Sequence, residues 1–206
     1  MTGRLVLHEY SASGNCYKVR LTAAMVGATV QRREYDIMKG ETRSPEFLAQ
    51  VNANGRIPVL QAGDRFIPES NAACYYVAEG SSLIPTDPFD HADMLHWMFW
   101  EQYNHEPNIA TLRYWMHSLR PDNLDDLKRL QMPGKRQAGN AALTLMNEHL
   151  ADREWFVDSA MTLADIALFA YTHVAGDADF DLGRYPNVVE WIERVKGQPR
   201  YVALDA

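Results

Sequence analysis

Residues 4–21 read RLVLHEYSASGNCYKVRL, and the fold turns on how this stretch is parsed. Its apolar start is a strand signal over residues 4–8. Ser11, Ser13, Gly14 and Asn15 then break the run. From Cys16 the pattern becomes helical: Tyr17, Leu21 and Ala24 share one face over 16–26, and Gly27 supplies the stop. A strand feeding a helix through a small polar turn is the opening of an α/β unit. Hydroxyls, an amide and a thiol gathered at the helix mouth read either as a turn with an ordinary cap or as a site.

The same alternation continues outward. Residues 29–37 form a weaker strand signal, because their charges do not alternate cleanly. SPEFLAQVN has Ser44 as a cap, Pro45 in the first turn and Asn54-Gly55 beyond its end, which predicts a short helix. IPVL and RFI flank the turn QAGD and predict a hairpin. SNAACYYVAEG runs as a helix from Ser70 to Gly80. The predicted order is strand, helix, strand, helix, strand, strand, helix.

After residue 80 the texture changes. SSLIPTDPFD, with two prolines, reads as a linker over 81–89. Everything from 90 to 206 reads as helical. Residues 90–119 form one long periodic segment, 134–150 another after a break at Pro133, and YPNVVEWIERVKGQP an amphipathic helix. MTLADIALFAYTHVA is nearly all apolar and marks the buried centre of this half. Thr162 caps it, Asp165 follows three positions on, and Met161 with Ile166 can form a hydrophobic staple.

The composition suits a globular protein: 206 residues, 47% apolar, 23% charged. A net charge of -7 argues against nucleic acid and membrane surfaces as partners. No apolar run approaches the roughly 20 residues that span a bilayer, and the first ten residues lack a signal peptide's apolar stretch. The two cysteines, Cys16 and Cys74, read as reduced thiols of a cytoplasmic protein. Seven histidines form no metal constellation, and the pair His105-Glu106 reads as surface or helix end.

Four pieces in this order, SGNCYKVRL, GRIPVL, PESNAACYYV and TLADIALFAY, resemble the cytosolic glutathione S-transferase family over nearly the whole chain. The resemblance implies a thioredoxin-like α/β N-terminal domain (1–80) without a Cys-x-x-Cys pair, and an all-α C-terminal helical domain (90–206). It also implies glutathione as co-substrate with no metal, a small apolar electrophile as second substrate, and a homodimer. Glutathione brings two carboxylates, an ammonium and a thiol, and the quoted pieces suit each. Ser70 at a helix start offers an anion site, with Glu69 beside it as acceptor for the ammonium. The resemblance implies a cis Ile57-Pro58 bond, with the Ile57 backbone pairing with the cysteinyl part of the ligand. Arg56, Lys39 and Thr42 are weaker candidates for the same ligand.

Glutathione's thiol needs help to ionise. A thiol pKa near 8.5 must fall by about two units, which takes about 2.7 kcal/mol. A donated hydroxyl contributes about 1.5–3 kcal/mol and a helix N-terminus about 0.3–1 kcal/mol. A hydroxyl at a helix mouth combines the two. In serine-type family members the spacing to the first helix implies Ser13 as this donor. Ser11, Tyr10 and Asn15 stand behind it. Cys16 is the rival: near a helix start its pKa should fall, and it could form a mixed disulfide with glutathione, giving disulfide-reductase chemistry; a small apolar residue packing under the helix is the competing account, and the one preferred. A non-catalytic adaptor that keeps the fold is the third reading. The resemblance places Ile109, Arg113, Tyr114 and Met116 at the electrophile pocket, where Arg113 would meet an anionic group. Plain core packing is the competing account of that stripe.

Overall fold

The computed structural model describes residues 4–157 and 160–206. The chain divides into two compact units: one runs to Ile84 and is completed by Pro199–Ala206, and the other is Pro85–Gln198.

Unit 1 holds strands β1 (Leu5–Glu9), β2 (Val30–Glu34), β3 (Val59–Ala62) and β4 (Arg65–Pro68). Its helices are α1 (Gly14–Val26), α2 (Pro45–Gln50) and α3 (Ser70–Ala78). The sheet order is β2-β1-β3-β4. β1 pairs in parallel with β2 and antiparallel with β3, and β3 pairs antiparallel with β4. Leu7 is fully buried and lines a cavity of about 240 Å³ with Ala23 and Ala24 of α1, so it faces that helix. His8, pointing the other way, gathers Tyr35, and Tyr35 meets Phe47 of α2 edge-on. This is the thioredoxin-like arrangement expected. The predicted strand 29–37 shortens to β2, and α1 begins two residues early because Ser13 is its N-cap.

Unit 2 is helical: α4 (Pro88–Trp100), α5 (Glu106–Arg113), α6 (Asp126–His149), α7 (Leu163–Thr172) and α8 (Pro186–Lys196). The segment expected over 90–119 is continuous from α4 onward, but π-helical turns occupy Glu101–His105 and Tyr114–Leu119. Pro107, early in α5, lacks the N–H for the preceding turn and crowds its carbonyl, which accounts for the wide turn before it. His105, expected at the surface, is fully buried and bonds to Thr172 Oγ1 (2.9 Å).

The break expected at Pro133 is absent. α6 runs through it from Asp126, because Pro133 and Gly134 lie on the exposed side, where a carbonyl lacking its helical partner is hydrated. α7 is buried along its length, and the Thr162–Asp165 capping box forms as expected. The stretch 199–206, expected within the helical half, instead packs on unit 1: Tyr17 Oη donates to the Val202 carbonyl (2.7 Å) and Arg20 to that of Leu204 (2.9 Å). No helix among the described residues is long and apolar enough to cross a membrane.

Candidate functional site

The sheet register decides which loops meet. His8 of β1 lies opposite Val59 of β3, and Val59 lies opposite Pro68 of β4. Three connections therefore leave the same end of the sheet. They are the turn from β1 into α1 (residues 10–13), the Ile57-Pro58 bond just before β3, which is cis, and Glu69-Ser70 just after β4. A hydrogen bond ties two of them directly: Ser70 Oγ donates to Asn15 Oδ1 (3.2 Å), joining the start of α3 to the start of α1. A cavity of about 790 Å³ opens at the opposite end of the sheet, lined by Arg4, Val26 and Gly80, and holds none of the candidate residues.

At the mouth of α1, Ser13 is the N-cap, and its Oγ accepts from the Cys16 N–H (3.4 Å). The same side chain also hydrogen-bonds to the Cys16 thiol. The turn itself is closed by the Ser13 N–H donating to the Tyr10 carbonyl (2.9 Å). Ser11 is engaged through its peptide: its N–H donates to Glu34 Oε1 (2.7 Å) and its carbonyl accepts from Arg20 Nη2 (2.8 Å).

At the mouth of α3, Ser70 is buried and Glu69 is exposed. Glu69 adopts φ 71°, ψ 118°, a conformation that L residues rarely take. Such an outlier costs about 1–3 kcal/mol and concentrates where ligands are clamped. Arg56 is exposed, and its carbonyl accepts from Asn52 Nδ2 (3.0 Å). Lys39 is exposed and paired with Asp36 (3.0 Å), while Thr42 is buried.

The four residues expected to meet an electrophile lie in unit 2. Ile109 is fully buried in its core. Arg113 is buried, with its Nε 2.9 Å from Asp177 Oδ2, so its charge is already matched within the unit. Tyr114 is exposed, and Met116 Sδ accepts from Arg136 Nη2 (3.4 Å).

Residues 5–79 match the glutathione S-transferase N-terminal domain family, and residues 110–199 match the corresponding C-terminal domain family. The chain belongs to the glutathione S-transferase family. A solved glutathione S-transferase from Pseudomonas fluorescens is 37% identical, with a TM-score of 0.90, covering 97% of this chain and 98% of that one. A structure described as a possible glutathione S-transferase from Rhodopseudomonas palustris is 40% identical, with a TM-score of 0.92, covering 98% and 90%. An uncharacterized GST-like protein of Streptococcus mutans is 30% identical over 82% of this chain and 69% of its own.

One electrostatic expectation for this glutathione S-transferase family member is reversed. Cys16 is fully buried, and burial pushes its thiol up to about 12 against the opposing hydrogen bonds from the Tyr10 N–H and Ser13. The pull of a helix start is the smaller effect, because desolvation acts on the whole thiolate charge. Two features escaped the sequence. The Asn15–Ser70 link spans 55 residues of chain, and no local pattern signals it. Glu9 is a fully buried carboxylate at the end of β1, held by Arg20 and Arg32. Its only signal was a charge directly after an apolar strand. Among the described residues no cluster could hold a metal ion.

Proposed function

We propose that the protein is a glutathione transferase in which the Ser13 hydroxyl stabilises the glutathione thiolate for attack on a small apolar electrophile. The observation that carries this reading is the convergence of Ser13, Ile57-Pro58 and Glu69-Ser70 at one end of a single sheet. Family membership supports glutathione as the thiol substrate. In this reading the first N–H groups of α3, with the Ser70 hydroxyl turning from Asn15 to the ligand, hold the γ-glutamyl carboxylate, Glu69 accepts from its ammonium, and the Ile57 backbone pairs with the cysteinyl residue. Ser13 then donates to the sulfur. The thiol proton leaves to solvent, and the sulfur forms its bond to the electrophilic carbon as the leaving group departs.

The high pKa of Cys16 argues against the disulfide-reductase alternative. A cytoplasmic homodimer that detoxifies electrophiles is part of the same proposal, and two buried free thiols suit a reducing compartment.

Ser13→Ala removes one hydrogen bond to a charged atom, about 1.5–3 kcal/mol, so kcat/KM should fall roughly ten- to hundredfold while glutathione Kd changes little. The measurement is turnover across a panel of electrophiles and mixed disulfides, with calorimetric titration of glutathione. An unchanged rate removes Ser13 from the role. Absence of glutathione binding to the unaltered protein sinks the reading as a whole.

A further inference from the structure

We propose that Arg20 is a positioning residue for Ser13, holding the catalytic turn in place through a guanidinium that it shares with residues 199–206. The inference rests on the transferase reading above.

Arg20 lies on α1 with its side chain almost wholly enclosed. One nitrogen, Nη2, donates both to the Ser11 carbonyl (2.8 Å) and to the Leu204 carbonyl (2.9 Å), using its two hydrogens on two chain segments. Its Nε lies 3.4 Å from Oε2 of the buried Glu9, the residue immediately before the turn. Glu9 also pairs with Arg32, so the carboxylate stays matched on both sides. The opposite side of the Ser11 peptide is held by Glu34 from β2. Both polar groups of the Ser11 peptide are thus taken by side chains from different elements. The turn then closes on Ser13 through the Ser13–Tyr10 backbone bond.

The chemistry of Ser13 depends on where its hydroxyl points. A donor fixed in advance stabilises a developing anion without reorganising, whereas one that swings to water does not. Within the turn the Ser13 side chain is tied only to Cys16, and the backbone Ser11-Ala12-Ser13-Gly14 that carries it is made of small residues ending in a conformationally permissive glycine. The external anchors on Ser11 supply that order. Because the same Nη2 serves Leu204, the packing of 199–206 and the setting of the turn are linked through one side chain.

The test measures the pKa of enzyme-bound glutathione, from thiolate ultraviolet absorbance and from the acid limb of the kcat/KM profile, with an activated aryl halide as electrophile. Unaltered protein and Ser13→Ala come first. If the unaltered protein does not bind glutathione, or Ser13→Ala leaves the thiol pKa unchanged, the transferase reading itself fails and takes this inference with it.

Given a shift in Ser13→Ala, Arg20→Gln should raise the thiol pKa by about one unit and lower kcat/KM about tenfold, with little change in glutathione Kd. Arg20→Lys keeps the charge but cannot reach two carbonyls and a carboxylate together, so it should restore only a minor part. Full recovery in Arg20→Lys would mean that Arg20 acts by charge, and overturns the proposal. Glu34→Ala, on the exposed strand β2, separates the two accounts again. Removing a negative charge lowers a nearby thiol pKa, whereas loosening the turn raises it. A rise supports positioning and a fall overturns it. Should Arg20→Gln fail to fold, judged by circular dichroism, Glu34→Ala decides alone.

Discussion

Replacing Asp165 with alanine should cost this protein a large part of its folding stability. The side chain is fully enclosed at the start of α7. Its Oδ2 accepts from the Thr162 N–H (2.8 Å). Its Oδ1 accepts from the Phe156 N–H (3.2 Å) and from the Trp191 indole Nε1–H (2.9 Å). One carboxylate thus joins the helix cap, the chain before α7 and helix α8. Burial pushes its pKa up to about 6, so at pH 7 it meets these donors as an anion.

In Asp165→Ala four buried donors, the Thr162 N–H and hydroxyl, the Phe156 N–H and the Trp191 indole N–H, lose their acceptor, at about 1–3 kcal/mol each. Neighbouring losses are not additive, so about 3–5 kcal/mol is expected in total. Domains of this kind hold about 5–15 kcal/mol, so the variant should fold with a much lower urea midpoint. Urea unfolding followed by tryptophan fluorescence measures it, since Trp191 reports on the site. Asp165→Asn keeps one oxygen but turns an amide towards donors, and should fall between. A loss under about 1 kcal/mol in Asp165→Ala would falsify the reasoning, since it would mean that the donors find other partners at no cost.

Two further outcomes follow from buried groups. Burial lowers His173 to about 4, and its Nδ1 bonds to the Phe169 carbonyl at 2.7 Å. Above pH 6.5 the ring is neutral whether or not the chain is folded. Between 6.5 and 4 the unfolded chain takes up the proton first, so stability falls by up to about 3 kcal/mol as pH falls. Urea midpoints at pH 7 and pH 4.5 should diverge less in His173→Leu than in the unaltered protein, and parallel shifts would count against it. With a thiol pKa of about 12, Cys16 should resist iodoacetamide at pH 8 in the native state and react in urea. Rapid labelling of the native protein at Cys16, located by peptide mass, would reverse that assignment.

The readable parts of this fold were local. Ser13, Ser44 and Thr162 cap helices within three residues of their partners, and the turn between β3 and β4 announces itself by glycine and aspartate. The stretch VQRRE is harder, since a strand with four exposed residues carries no alternation. Pro133 misled because a proline's effect depends on which side of the helix it occupies, and that is settled by packing. The same division runs through the site. Glu69, Ser70 and the Ile57-Pro58 dipeptide stand out by residue type. The Asn15–Ser70 bond, the Glu9 ion pairs and the anchors on Ser11 join positions 23 or more residues apart, with Arg20 as the nearest exception. Cys16 packs under its helix as a small apolar residue would, and the lowered pKa that a helix start suggests is reversed because depth of burial, which sequence conveys poorly, outweighs it.

Residues 199–206 complete a sheet-and-helix unit whose other parts are synthesised first. During translation the strands and α1 emerge early, yet Arg20 and Tyr17 meet their acceptors on Leu204 and Val202 only after the whole of unit 2 has been made. The unit that leads in the chain is therefore the last to finish. Unit 2 is thus an insertion between two pieces of unit 1, and a fragment ending at Ile84 lacks the carbonyls that Tyr17 and Arg20 reach.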